Sequence, residues 1–269
     1  MNRIPPFLKW LISSILAVAL LTGIFVIRGD GQAAPLPVEL TATPTASPTA
    51  SPTADPATDI NNLMIALVDS KQKIVSVTVL RQSVDGAKFA IVNIDPATLI
   101  VPPGQGFVPI SDAGLQGSFD GVDQAISGAL GIPIDGSIYL RRLALAGLVD
   151  GVGGVTIDSD NLYRVSEAGE PAQYVSYGSS LLTGGAAAGY AMVKSKFETT
   201  DQFMTRTNQV LRAVFENIQG DQARVDEVLS ALGSLAKSNV PTQSIARLIV
   251  ELRASNLWSS ANISRVPSN

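Results

Sequence analysis

The chain has 269 residues, 19 Lys and Arg against 23 Asp and Glu, a net charge of −4, and neither cysteine nor histidine. The acidic balance argues against sequence-independent nucleic-acid binding, which needs a basic face. The missing Cys and His rule out disulfides, thiolate or imidazole metal sites and a Ser-His-Asp triad. Any chemistry therefore rests on carboxylates, lysines, arginines, hydroxyls or a hard cation such as Mg²⁺.

Residues 7–27 form an apolar run with no charge after Lys9, and Arg3 and Lys9 precede its core. At about 1.5 Å per residue, about 20 helical residues cross a hydrocarbon core of about 30 Å. The run predicts a membrane anchor with Trp10 near one interface and the C-terminal bulk outside the cell membrane. A signal peptide cut near Gln32–Ala34 is the alternative. Residues 29–58 contain TATPTASPTASPTADPAT. Such a stretch cannot bury enough surface to offset the entropy of ordering, and proline keeps it extended. The expected organisation is an anchor over 1–28, a spacer over 29–58 and an extracytoplasmic domain over 59–269.

Leu63–Val68 is a continuous apolar run, which predicts a central strand buried on both faces. Val75–Leu80 alternates and predicts a strand with one less buried face. Asp85-Gly86 predicts a hairpin into a third strand over Lys88–Ile94. Val122, Ala125, Ile126 and Leu130 share one face of a helix over Phe119–Leu130. Gly131–Asp158 reads as strand (Ile138–Leu140), helix (Leu143–Val149), glycine turn and strand (Val155–Ile157). Gly151, Gly153 and Gly154 are expected to end that helix, and the block is expected to form the centre of the core. Tyr163–Ser176 is irregular, a surface loop or a strand pair. Helices are expected from Gly185, over Asp201–Asn217, over Asp221–Ser238 and over Thr242–Ser255, the last opened by Pro241. The fold class is α/β, a mixed central sheet with helices on both faces, preceded by one transmembrane helix.

The segment GIPID…LVDGVGGVTID resembles the centre of the LytR-CpsA-Psr domain, a family of bacterial envelope proteins, and the resemblance covers about Asp59 to Arg253. The family's Asp-x-Arg after its first strand corresponds to Asp69-Ser70-Lys71. Its Arg-x-Asp-Thr corresponds to Lys73-Ile74-Val75-Ser76, and its Pro-Arg-Asp falls at Asp95-Pro96-Ala97. Its Tyr-x-Arg-x-Arg corresponds to Met192-Val193-Lys194-Ser195-Lys196, and Asp201, Arg206 and Gln209 keep part of the following helix pattern. Lysines thus stand for arginines, and Val75 and Ala97 for acids.

The resemblance implies a domain that takes a polyprenyl-pyrophosphate lipid or its linked glycan and transfers glycan phosphate to peptidoglycan or another wall polymer. It implies Lys71, Lys73, Lys194, Lys196, Arg206 and Gln209 as phosphate ligands, and Asp69 as the catalytic residue and ligand of a Mg²⁺ cofactor. Lysine keeps the charge without the planar fork, and one carboxylate seldom fixes Mg²⁺ without substrate phosphates. Three alternatives stay open: an enzyme with a lysine variant of the site, a binding module for polyprenyl-linked lipid or wall glycan, or a structural partner. Without the resemblance these lysines read as solvated surface residues. Arg141-Arg142 after an apolar strand reads either as a phosphate contact or as surface arginines.

Overall fold

A computed structural model describes residues 59–83, 88–115, 118–166, 171–254 and 262–266. The anchor and spacer expected over 1–58 and the Asp85-Gly86 turn lie outside these residues. Among the described residues no helix is long and apolar enough to cross a membrane.

Strand β1 (Asn62–Val68) is central because its side chains alternate between two cores. Leu63, Ile65 and Leu67 enter one, Met64, Ala66 and Val68 the other. Strand β2 (Ile74–Gln82) pairs antiparallel with β1, and β3 (Phe89–Ile94) antiparallel with β2. After two short antiparallel strands, β4 (Leu99–Ile100) and β5 (Val108–Pro109), helix α1 (Val122–Leu130) places Val122 and Ile126 in the second core. Strand β6 (Gly136–Arg141) then lies parallel to β1 on its other side.

Helix α2 (Arg142–Gly151) buries Ala144, Leu145, Leu148 and Val149 in the first core. Strand β7 (Val155–Ser159) follows, then the two-residue pair β8 (Tyr163–Arg164) and β9 (Tyr174–Val175), and β10 (Gly178–Leu182). Helices α3 (Gly184–Met192), α4 (Thr200–Asn217), α5 (Gln222–Ser230) and α6 (Thr242–Ala254) complete the first face. The edges of the sheet are β11 (Ala236–Ser238), antiparallel to β6, and β12 (Asn262–Val266), parallel to β3. The six-stranded order is β11-β6-β1-β2-β3-β12. This is the mixed α/β sheet, covered on both faces, that the sequence predicts.

Several expectations need correction. The Gly131–Asp158 block is not a βαβ unit of one sheet: β6 joins the main sheet, whereas β7 pairs with β10 in a separate two-stranded sheet. Gly151 belongs to the last turn of α2. Gly153 and Gly154 make the turn, with φ of 82° and 93°. Strand β2 has no open face, because Ser76 and Thr78 are buried. Thr78 Oγ1 lies 3.2 Å from Asn93 Oδ1 and 3.3 Å from Asn208 Oδ1, and Asn208 donates to Asn93 at 3.1 Å. Helix α4 thus covers the polar positions with its own amide, the condition for burying them at low cost. The helix expected over Asp221–Ser238 stops at Ser230, and residues 236–238 become the edge strand β11. Strand β12 has no counterpart among the expected elements.

Candidate functional site

Strands β1, β3, β6 and β12 run in one direction, so their C-terminal ends meet along one edge of the sheet. Clefts beyond such strand ends are the usual place for ligands in α/β sheets. Here β1 hands over to a tight turn. Asp69 Oδ1 accepts the backbone N–H groups of Lys71 and Lys73, both at 2.8 Å, and Gln72 takes a left-handed φ of 63°. The register between β1 and β2 then slips, pairing Leu67 with Ser76 but Val68 with Ile74. Val75 is the extra residue of this β-bulge, a device that re-aims a side chain. It packs, partly buried, against the first core.

The bulge opens a pocket of about 360 Å³ between β2, the end of β3 and the start of α4. Val75, Pro96, Ala97, Met192 and Phe203 give it apolar walls, and Lys73, Lys194 and Thr200 stand around it. Lys73 Nζ donates to Asp112 Oδ1 at 2.9 Å, which raises the lysine's pKa and holds the Asp112 carboxyl below its ordinary range. Lys194 Nζ donates to Thr200 Oγ1 at 2.9 Å, in the first turn of α4. That helix opens with a capping box: Thr199 accepts from the Gln202 backbone, and Gln202 accepts from the Thr199 backbone at 2.9 Å. Its positive end adds to the two ammonium groups.

The remaining expected ligands are distributed as follows. Lys71 is exposed on the Asp69 turn. Lys196 lies with its Nζ 5.7 Å from the Phe197 ring centre and lines a second, adjoining pocket. Gln209 accepts from the Tyr190 hydroxyl at 3.3 Å and lines neither pocket. Arg206, expected among the phosphate ligands, is buried at 2% exposure. Its Nε and Nη2 each sit 2.6 Å from a Glu198 carboxylate oxygen. It also donates to the carbonyls of Tyr190 and Val193, and stacks 4.3 Å from the Tyr163 ring centre and 4.8 Å from that of Tyr190. Burial raises the pKa of both tyrosines, with Asp160 adding to the rise at Tyr163. The guanidinium is spent on structure. It ties the end of α3 to Glu198, which also accepts the Ser195 N–H at 3.0 Å, so it fixes the loop carrying Lys194 and Lys196. Of the paired arginines, Arg141 is exposed and Arg142 donates to the Val165 carbonyl at 3.3 Å.

Sequence reasoning missed Asp95 and Arg265. Asp95 lines the pocket, accepts the Ala97 N–H at 2.9 Å, and pairs with Arg265 at 2.8 Å. Arg265, from β12, reaches Asp201 at 2.6 Å with its other arm. The contact spans 170 positions of sequence, so no local signal announces it.

These carboxylates do not fit a protein-held Mg²⁺. Among the described residues no three acidic side chains gather. Asp69 gives one oxygen to backbone N–H groups, and Asp95, Asp112 and Asp201 each already face a cation. A hard divalent ion wants several oxygens without such competitors.

Comparison with known proteins agrees with this architecture. The B. subtilis TagV crystal structure superposes with a TM-score of 0.63 at 16% identity, over 77% of this chain and 84% of that one. TagT bound to LI-WTA gives 0.60 at 15% identity, covering 76% of this chain and 77% of that one. The LytR-Csp2A-Psr enzyme from Actinomyces oris gives 0.59 at 16% identity, covering 77% and 80%. At such identities the likeness concerns the fold. No curated protein matches the chain. The LytR_cpsA_psr family model matches residues 107–265, and the chain belongs to that family.

Proposed function

We propose that this protein is a binding module of the cell envelope, anchored through residues 7–27, whose outward-facing domain holds a polyprenyl lipid or linked glycan by its phosphates. One observation carries the reading. The pocket sets Lys73 and Lys194 beside the apolar side chains of Val75 and Ala97, the two positions where the family resemblance calls for acids. Two ammonium groups and a helix N-terminus suit an anionic head. The apolar walls suit the first carbons of a hydrocarbon tail. Among the described residues the carboxylates around the site are bonded to cations or to backbone, which argues against a free general base there.

A second reading keeps glycan-phosphate transfer to a wall polymer. The shared fold with a LytR-Csp2A-Psr enzyme and with TagT bound to LI-WTA favours it, with Asp69 as the acting carboxylate and Mg²⁺ brought by the substrate's own phosphates.

Binding and Mg²⁺-dependent turnover of a polyprenyl-pyrophosphate-linked glycan by the full chain, with peptidoglycan supplied as acceptor, separate the two. Each lost charge-assisted bond is worth about 1.5–3 kcal/mol. Lys73→Glu and Lys194→Glu are each expected to weaken binding at least about tenfold, with affinity falling as salt rises. The wild-type chain is expected to bind the lipid with no Mg²⁺-dependent turnover. Turnover by the wild type, enhanced in Val75→Asp/Ala97→Asp, would establish the transferase reading instead. Binding indifferent to both reversals would remove the pocket from either.

A further inference from the structure

A third cavity, of about 170 Å³, lies where the chain entering α1 meets β6 and the edge strand β11. It shares no lining residue with the lysine pocket or with the larger pocket, about 670 Å³, that adjoins the lysine site. Phe119 and Tyr139 line it, both nearly buried and stacked with 4.5 Å between ring centres, so one side of the cavity is apolar.

Asp123 decides what the cavity can hold. It lines the wall and is only 8% exposed, yet among the described residues its side-chain bonds come from neutral donors alone. Oδ2 accepts from Asn239 Nδ2 at 2.6 Å and from Ser137 Oγ at 3.4 Å, and Oδ1 accepts no hydrogen bond. The Asn239 amide cannot turn away, because its own oxygen accepts the Ser137 N–H at 2.7 Å. The carboxylate is thus fixed with one oxygen held and the other unbonded. A buried carboxylate without a counter-ion is costly, and the positive end of α1 offsets only part of that cost. Lys237, the one cation on the lining among the described residues, is held by Asp120 at 2.7 Å. Both of those side chains are more than half exposed, so their pairing is weak.

We propose that this cavity binds a guanidinium head group. An unpaired, pre-positioned carboxylate oxygen calls for a cation that carries N–H donors. A hard metal ion would want several free oxygens, whereas Asp123 offers one and Asp120 gives its two to Lys237 and Ser118. Between organic cations the apolar side decides: guanidinium is planar and more weakly hydrated than ammonium, so it loses less on moving against the rings. The inference stands independently of the lipid reading above.

Calorimetric titration of the full chain with butylguanidinium, butylammonium and the uncharged butylurea tests this. Butylguanidinium is expected to bind at least about tenfold more tightly than either of the others. A capped Gly-Arg-Gly peptide run beside it tells a free solute from an arginine side chain as the source: the tighter binder names it. Asp123→Asn keeps the shape and an oxygen for Asn239 but puts an amino group in place of Oδ1, and should lose at least about tenfold in affinity. Lys237→Met removes the competing ammonium from an exposed edge, so binding should tighten severalfold at an unchanged melting temperature. The proposal is overturned if butylguanidinium does not bind, if butylammonium or butylurea binds as tightly, or if Asp123→Asn binds as the wild type does. Should Asp123→Asn fail to fold, Lys237→Met decides: affinity unchanged or weakened in that variant overturns the proposal.

Discussion

Arg206 shows how a residue type and its motif position can point to one role while the environment assigns another. A buried ion pair is expensive to desolvate, and removing one partner strands the other. Glu198 and Arg206 have side chains only 2% and 3% exposed. Arg206→Ala is therefore expected to destabilise the protein by about 3–5 kcal/mol in chemical denaturation. The double variant Arg206→Met/Glu198→Met, which removes both charges and keeps volume, should recover most of that loss. It should not recover lipid binding. A thioether in place of the guanidinium cannot donate to the Tyr190 and Val193 carbonyls, and one in place of the carboxylate cannot hold the Ser195 N–H, so the Lys194 loop loses the bonds that order it. Recovery of both together would mean that the pair does not position the lysines.

Two glycines decide how the elements meet. Gly154, at φ 93°, turns the chain from α2 into β7, and a Cβ there would sit 3.0 Å from the Leu182 carbonyl oxygen. Left-handed backbone costs a side chain about 1–3 kcal/mol. Gly154→Val should therefore lower the melting temperature by several degrees, and an unchanged melt would refute this account of the turn. Gly189 works by closeness rather than by φ: any Cβ on that face of α3 would collide with the Val165 carbonyl oxygen after β8. Helix α3 therefore lies directly on the chain that walls the larger pocket. Its run Gly184 to Met192 contains three glycines and four alanines, because only small side chains permit that approach.

For the whole protein, the asymmetry of charge around residues 7–27 carries the prediction. Arg3 and Lys9 precede the uncharged core of the run and Arg28 follows it. The two leading charges favour a cytoplasmic N-terminus. Protease added to intact spheroplasts should then digest the domain, and full protection would reverse the orientation.

By itself the sequence determined the elements whose patterns are local and strong. Leu63–Val68 reads as a doubly buried strand because its uniformly apolar run is too short for a typical helix and too apolar for the surface. The spacing of Val122 and Ile126 likewise needs only neighbours. The absence of His and Cys closed whole classes of chemistry without any coordinates. What only the tertiary structure decided depends on partners far apart in sequence. Residues 236–238 became a strand because β6 offered an unpaired edge, and 262–266 because β3 did. β7 left the main sheet because β10 paired with it. The polar face of β2 is buried because Asn208, 130 positions away, satisfies Thr78. The site follows the same division. The lysines could be named one by one, but only the fold set Lys73 and Lys194 around one pocket, and Arg206 proved structural only when Glu198 and two carbonyls closed around it. Asp95 and Arg265 joined the site only when the last strand folded back against the third. Hydrogen bonds and ion pairs in a buried setting reward such distant pairings strongly, and no local pattern records them.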